Sequence, residues 1–122
     1  MEIFNLYYIE SARRLPNLPA SHPCSNVHGH SFRLEIFVNG PINPVKGWVI
    51  DFADLDAAFA PIMAQLDHRY LNDIPGLENP TSERMAEWIW LKLKPALPGL
   101  SKLVIHETHR SGCVYMGDQA DY

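Results

Sequence analysis

His28-Gly29-His30-Ser31-Phe32-Arg33-Leu34-Glu35-Ile36-Phe37-Val38-Asn39 is the stretch whose reading decides the fold. Phe32, Leu34, Ile36 and Val38 alternate with Arg33, Glu35 and Asn39, the period of two expected of a strand with one buried face. The same period sends the imidazoles of His28 and His30 to one side. Gly29 between them lets a ligand or another backbone come close. Upstream, residues 2–10 are aromatic and β-branched enough for a second strand, and the two strands frame a segment at 11–29. That segment carries Pro16, Pro19 and Pro23, which favour an irregular loop over a helix.

Downstream the period lengthens. Residues 47–50 read as the end of a further extended piece, and Asp51 offers an N-cap. Phe52, Leu55, Phe59, Ile62 and Leu66 then recur at helical spacing, with Pro61 expected to interrupt and bend the helix. A second helix is predicted to open at Asn79-Pro80, with proline at its first position, and to run through Met85, Trp88, Ile89 and Leu93 until Pro95. Residues 102–108 and 113–116 read as two strands around the turn His109-Arg110-Ser111-Gly112. The order strand, strand, helix, helix, strand, strand predicts an α+β fold. Its expected form is an antiparallel four-stranded sheet with two helices on one face, in a single domain over 1–122.

The protein has 122 residues and a mass of 13.9 kDa, which matches one core. Apolar residues at 47% and charged ones at 20% exclude a disordered polypeptide, and a formal net charge of −4 argues against general binding to a nucleic-acid backbone. No apolar run reaches the roughly 18 residues of a membrane span, and Met1-Glu2-Ile3-Phe4 lacks a basic start to a signal segment, so a cytoplasmic location is expected. Cys24 and Cys113 are expected to be free thiols.

Several residues can carry chemistry. His28 and His30 are either a two-residue metal-ligand pattern or ordinary surface or core histidines, and Cys24 nearby is either a third ligand or a reactive thiol; spacing does not decide. Asp67-His68 is either an oriented acid–base pair or an aspartate and a histidine that merely end a helix. Glu107 falls on the apolar side of its strand and therefore needs a partner, either in an ion pair or in the paired N–H donors of a heterocycle. His22 and His109 are expected to be solvated, Cys113 to be a small buried apolar group, and Trp48, Trp88 and Trp90 to serve packing.

Taken together, the motifs resemble the 6-pyruvoyl-tetrahydropterin synthase superfamily, most closely its bacterial 6-carboxy-tetrahydropterin synthase branch of queuosine biosynthesis. The residues carrying this resemblance are 10–16, Cys24 with His28-Gly29-His30-Ser31-Phe32, 47–52, 66–72, 74–83, and Glu107-Thr108 with Gly112-Cys113. They span nearly the whole sequence. The resemblance implies a tunnelling fold whose subunits form a homohexamer, a dimer of trimers, with active sites at subunit boundaries. Asp67, His68 or Glu107 would then come from a different subunit than Cys24, His28 and His30. It implies zinc on His28 and His30, Cys24 as proton acceptor, His68 oriented by Asp67 as the second acid–base group, and Glu107 with Thr108 holding the pterin while Glu107 also completes the catalytic proton relay. The implied substrate is 7,8-dihydroneopterin triphosphate, which loses triphosphate and acetaldehyde.

One position departs from the family pattern. Where Glu-x-x-His-Arg-Leu-Pro places a third zinc-binding histidine, this sequence has Arg13, whose guanidinium has no lone pair to give. Three outcomes are open: a weakened zinc site completed by His22, Cys24 or water; Arg13 in the metal's role; or a pterin-binding paralogue with little or altered catalysis.

Overall fold

The computed structural model describes residues 1–117. Four strands, β1 (Glu2–Arg13), β2 (His28–Asn39), β3 (Leu100–His106) and β4 (Gly112–Tyr115), form one antiparallel sheet in the order β1-β2-β3-β4. Helices α1 (Phe52–Leu66) and α2 (Ser82–Leu93) pack on one face of it. The α+β architecture is therefore the one expected from the alternation of periods.

Alternation explains which face is covered. Ile9 of β1, Phe32, Leu34, Ile36 and Val38 of β2, and Leu103 and Ile105 of β3 are buried against Leu55, Phe59, Ile62 and Leu66 of α1 and Met85, Ile89 and Leu93 of α2. Each such burial contributes about 1.5–3 kcal/mol. The opposite face of the sheet is uncovered, so Phe4, Leu6 and Tyr8 of β1 and Val114 of β4 stay exposed.

Element boundaries differ from the pattern where local chemistry outweighs it. The strand pair extends inward, with Ser11 opposite His30 and Arg13 opposite His28, so the loop is shorter than 11–29. Within it, Pro23–Ser25 makes a 3-10 turn whose start is capped by His22, since Nδ1 accepts from the Cys24 N–H at 3.1 Å; this histidine is exposed but has a structural partner. Residues 47–50 form no strand; the backbone bends over 48–50, after Gly47 at a φ of 77°. Asp51 caps α1 as expected, and the helix continues through Pro61 because the apolar residues on both sides of it are held in the core. α2 begins two residues later than predicted. Thr81 caps it by accepting from the Arg84 N–H, and Pro80 stays outside the helix, with its carbonyl used elsewhere.

Candidate active site

The inner end of β1 is where the site forms. Ser11 Oγ donates to the carbonyl of Leu66 at 2.5 Å, the Ala12 N–H donates to Arg69 O at 3.0 Å, and Ala12 pairs with Tyr70 as an isolated bridge. These bonds fasten the segment after α1 to the sheet, alongside the first residues of β2. As a result Glu10, Ser11, Gly29, His30, His68 and Glu107 share one cleft of about 790 Å³, so His68 and Glu107 meet His30 within one subunit and not, as expected, across a subunit boundary.

Asp67 and His68 do face each other. Asp67 Oδ1 accepts from the Glu10 N–H at 2.9 Å and Oδ2 from His68 Nδ1 at 2.8 Å. The Glu10 bond first, and the His68 contact second, hold the Asp67 carboxyl below the usual carboxylate range. With Nδ1–H turned to the carboxylate, neutral His68 keeps its lone pair on Nε2, and its side chain is 78% exposed. Its backbone is at a φ of 57°, a left-handed conformation that a non-glycine residue rarely adopts, and its N–H donates to Glu10 O at 2.6 Å.

Glu107 lies one residue beyond β3, and its required partner is Arg13. Arg13 Nη2 donates to Glu107 Oε1 at 2.8 Å, Nη1 donates to Pro80 O at 3.0 Å, and the guanidinium lies 5.0 Å from the centre of the Phe32 ring. Arg13 is 3% exposed. Ser82 Oγ also donates to Glu107 Oε1, at 2.5 Å, and no hydrogen bond to Oε2 occurs among the described residues. Burial pushes the Glu107 carboxyl up, but the bonds from Ser82 and Arg13 and the Arg13 charge outweigh it and leave the group lowered.

The remaining sequence-predicted residues are more dispersed. Neither Cys24 nor His28 lines the cleft; His28 Nδ1 donates to Asn26 O at 2.8 Å, which leaves its Nε2 as the lone-pair nitrogen of the neutral ring. His30 packs its ring 4.5 Å from that of Phe32, with Nε2 buried and without a partner. Thr108 lines an adjoining cleft with Glu107, and its Oγ1 accepts from the Arg110 N–H. Cys113 is half-buried against the core, which pushes its thiol up, and His109 is exposed. Trp88 is buried, Trp90 is half-buried and Trp48 is partly exposed.

Sequence reasoning missed Ser82 and the Arg13–Glu107 pair. Nothing in the sequence marks Ser82 apart from the cap residue before it. For Arg13 a signal existed: residues 9, 11 and 13 share the core face of β1, so an inward arginine and an inward carboxylate were both unpaired demands that answer each other. Among the described residues, no group of three or more His, Cys, Asp or Glu side chains is arranged to hold a metal ion. Two histidines with available nitrogens are present, but the third position holds a buried cation, so these residues do not fit a three-histidine metal centre.

The sheet with its two helices on one face, ending in this polar cleft, defines a tunnelling-fold protein. The family model described as 6-pyruvoyl tetrahydropterin synthase matches residues 2–118, and the protein belongs to that family. It is 40% identical over 119 residues, 93% of its own length and 91% of the relative, to a 6-carboxy-5,6,7,8-tetrahydropterin synthase of Synechocystis sp.. It is 44% identical over 77 residues, 63% of its own length and 64% of the relative, to a dihydroneopterin monophosphate aldolase of Pyrococcus furiosus. The solved 6-pyruvoyl tetrahydropterin synthase of Caenorhabditis elegans superposes with a TM-score of 0.89 at 26% identity, covering 97% of this protein and 96% of that one.

Proposed function

We propose that the protein is a lyase of the 6-carboxy-tetrahydropterin synthase type acting on 7,8-dihydroneopterin triphosphate, in the making of queuosine and related 7-deazapurines. The observation that carries this reading is the meeting of His30, His68 and Glu107 in one cleft. Glu107, kept ionised by Arg13 and Ser82, has Oε2 available to accept the paired N–H groups of the pterin ring, with Thr108 beside it. His68, oriented by Asp67, is the base or acid that moves protons at the substituent of the ring, and Cys24 is the second proton acceptor. Deprotonation beside the leaving group expels triphosphate, and attack of a water molecule on the carbonyl carbon next to the ring then breaks the carbon–carbon bond, leaving the carboxylate on the ring and releasing acetaldehyde. Zinc is the metal that the resemblance implies on His28 and His30; because the donor set does not fit it, no step here is assigned to it.

In this reading the protein is a homohexamer, a dimer of trimers, in the cytoplasm. The uncovered apolar face of the sheet and the long edge strand β1 support assembly, since both call for a covering copy. Cys24, outside the cleft of its own subunit, is then the residue that a neighbouring copy contributes.

Incubating the purified protein with 7,8-dihydroneopterin triphosphate and analysing the products by mass spectrometry tests the reading. It predicts 6-carboxy-tetrahydropterin, triphosphate and acetaldehyde. A pyruvoyl product would reassign the second step to that of 6-pyruvoyl-tetrahydropterin synthase. A second reading, a pterin-binding paralogue with little catalysis, is favoured by the tie between Arg13 and Glu107; it predicts saturable pterin binding with no product.

A further inference from the structure

The mismatch between this donor set and a metal centre has a specific cause, Arg13. We propose that the Arg13 guanidinium takes the place of a divalent cation as the fixed positive charge of the site, so that the protein binds its ligand without a metal. The proposal stands on how completely this arginine is built in. It is buried and bonded at Nη1 and Nη2 to groups from two different parts of the sequence, Pro80 before α2 and Glu107 after β3. It is also stacked on Phe32, the ring against which His30 packs. A solvated arginine that strayed inward would show none of these contacts together.

Its chemistry closes the site to a metal. The guanidinium is always protonated, so it offers no lone pair, and a divalent cation on His30 would be placed beside a buried positive charge. Glu107 is already charge-compensated by Arg13 at Oε1, which makes it a poorer replacement ligand for a divalent cation. What the site retains is His30, which lines the cleft and whose Nε2 is buried without a partner, while Arg13 lies outside the lining and acts on the cleft through its bond to Glu107. A hydroxyl or carbonyl oxygen of a ligand can accept from the His30 imidazole N–H where a metal would have accepted from the ligand's lone pair. The class of ligand is therefore a heterocycle, held by Glu107, that carries an oxygen-bearing substituent; the hold by Glu107 rests on the function proposed above.

The test measures metal and not turnover, so its failure is distinct from failure of the pterin reading. Purified protein is incubated with excess zinc, dialysed and analysed by elemental mass spectrometry, and the same protein is titrated with cobalt(II) and followed by visible absorption. The expected result is zinc far below one equivalent per subunit and no tetrahedral cobalt band. Arg13→His is expected to bring both up, to about one equivalent and a visible band, and to lose them again when His30→Ala is added. A full equivalent of zinc in the unaltered protein that disappears in His28→Ala or His30→Ala would overturn the proposal. An Arg13→His variant that folds by circular dichroism yet still takes up no metal would also count against it, because Arg13 would not then be what excludes the ion. Should that variant fail to fold, the measurement on the unaltered protein alone decides.

Discussion

At His68 the fold holds a side chain of catalytic type on a backbone that glycine would occupy more easily. The left-handed conformation costs an ordinary residue about 1 kcal/mol, and it is maintained here by the bonds to Glu10 and Asp67. His68→Gly is accordingly expected to leave the protein as stable as before or more stable by up to about 1 kcal/mol in chemical denaturation, while removing turnover. At Glu107 the prediction concerns pH. Its carboxyl is lowered in the folded protein, so the stability it contributes is present above the unfolded value of about 4.3 and is lost as pH falls through the folded one. Melting curves of the unaltered protein and Glu107→Gln should differ fully near pH 7 and converge in acid, once the carboxyl is protonated in the folded protein as well. A difference that grows toward acid would contradict the sign. The sequence made Glu107 legible as a carboxylate in need of a partner. It left the partner open, because the pairing joins β1 to the end of β3 across 94 positions, and only the sheet order brings them together.

At the scale of elements, the site depends on how the ends of strands and helices are tied. The turn between β3 and β4 sets Glu107, whose N–H donates to Ser111 O at 2.9 Å, and Gly112 sits so close to Ile105 that a Cβ there would collide with its carbonyl oxygen. Gly112→Ala should therefore cost about 2 kcal/mol or more and weaken ligand binding together with stability, measurable by urea denaturation. The two helices and four strands were readable from periodicity because each has one apolar face, and the N-cap at Asp51 was readable because it precedes a helical run. The start of α2 was not. Both Pro80 and Thr81 are good helix-start residues, and the outcome turned on the Pro80 carbonyl being taken by Arg13 and the Thr81 hydroxyl by the Arg84 N–H. Residues 47–50 misled for a related reason: a short run of Trp, Val and Ile reads as extended, yet the backbone bends there while Val49 and Ile50 pack against the core.

For the whole molecule, the sheet covers one face with helices and leaves Phe4, Leu6, Tyr8 and Val114 on the other. A second copy of the protein is the proposed cover, and light scattering coupled to size exclusion is expected to give about six subunits per particle, with Leu6→Arg reducing that number. The family was legible from sequence because its motifs run through nearly all of it; what the cleft does with one altered position was not, since it depends on where a buried guanidinium ends. The central claim is that the cleft of His30, His68 and Glu107 receives a pterin. The measurement that tests it most directly is a fluorescence titration of the protein with 7,8-dihydroneopterin triphosphate at pH 7, beside Glu107→Ala. Saturable binding that weakens by at least about 30-fold in the variant, the loss of one charged hydrogen-bond pair, is the predicted result. Absence of binding, or equal affinity in the two proteins, would contradict it.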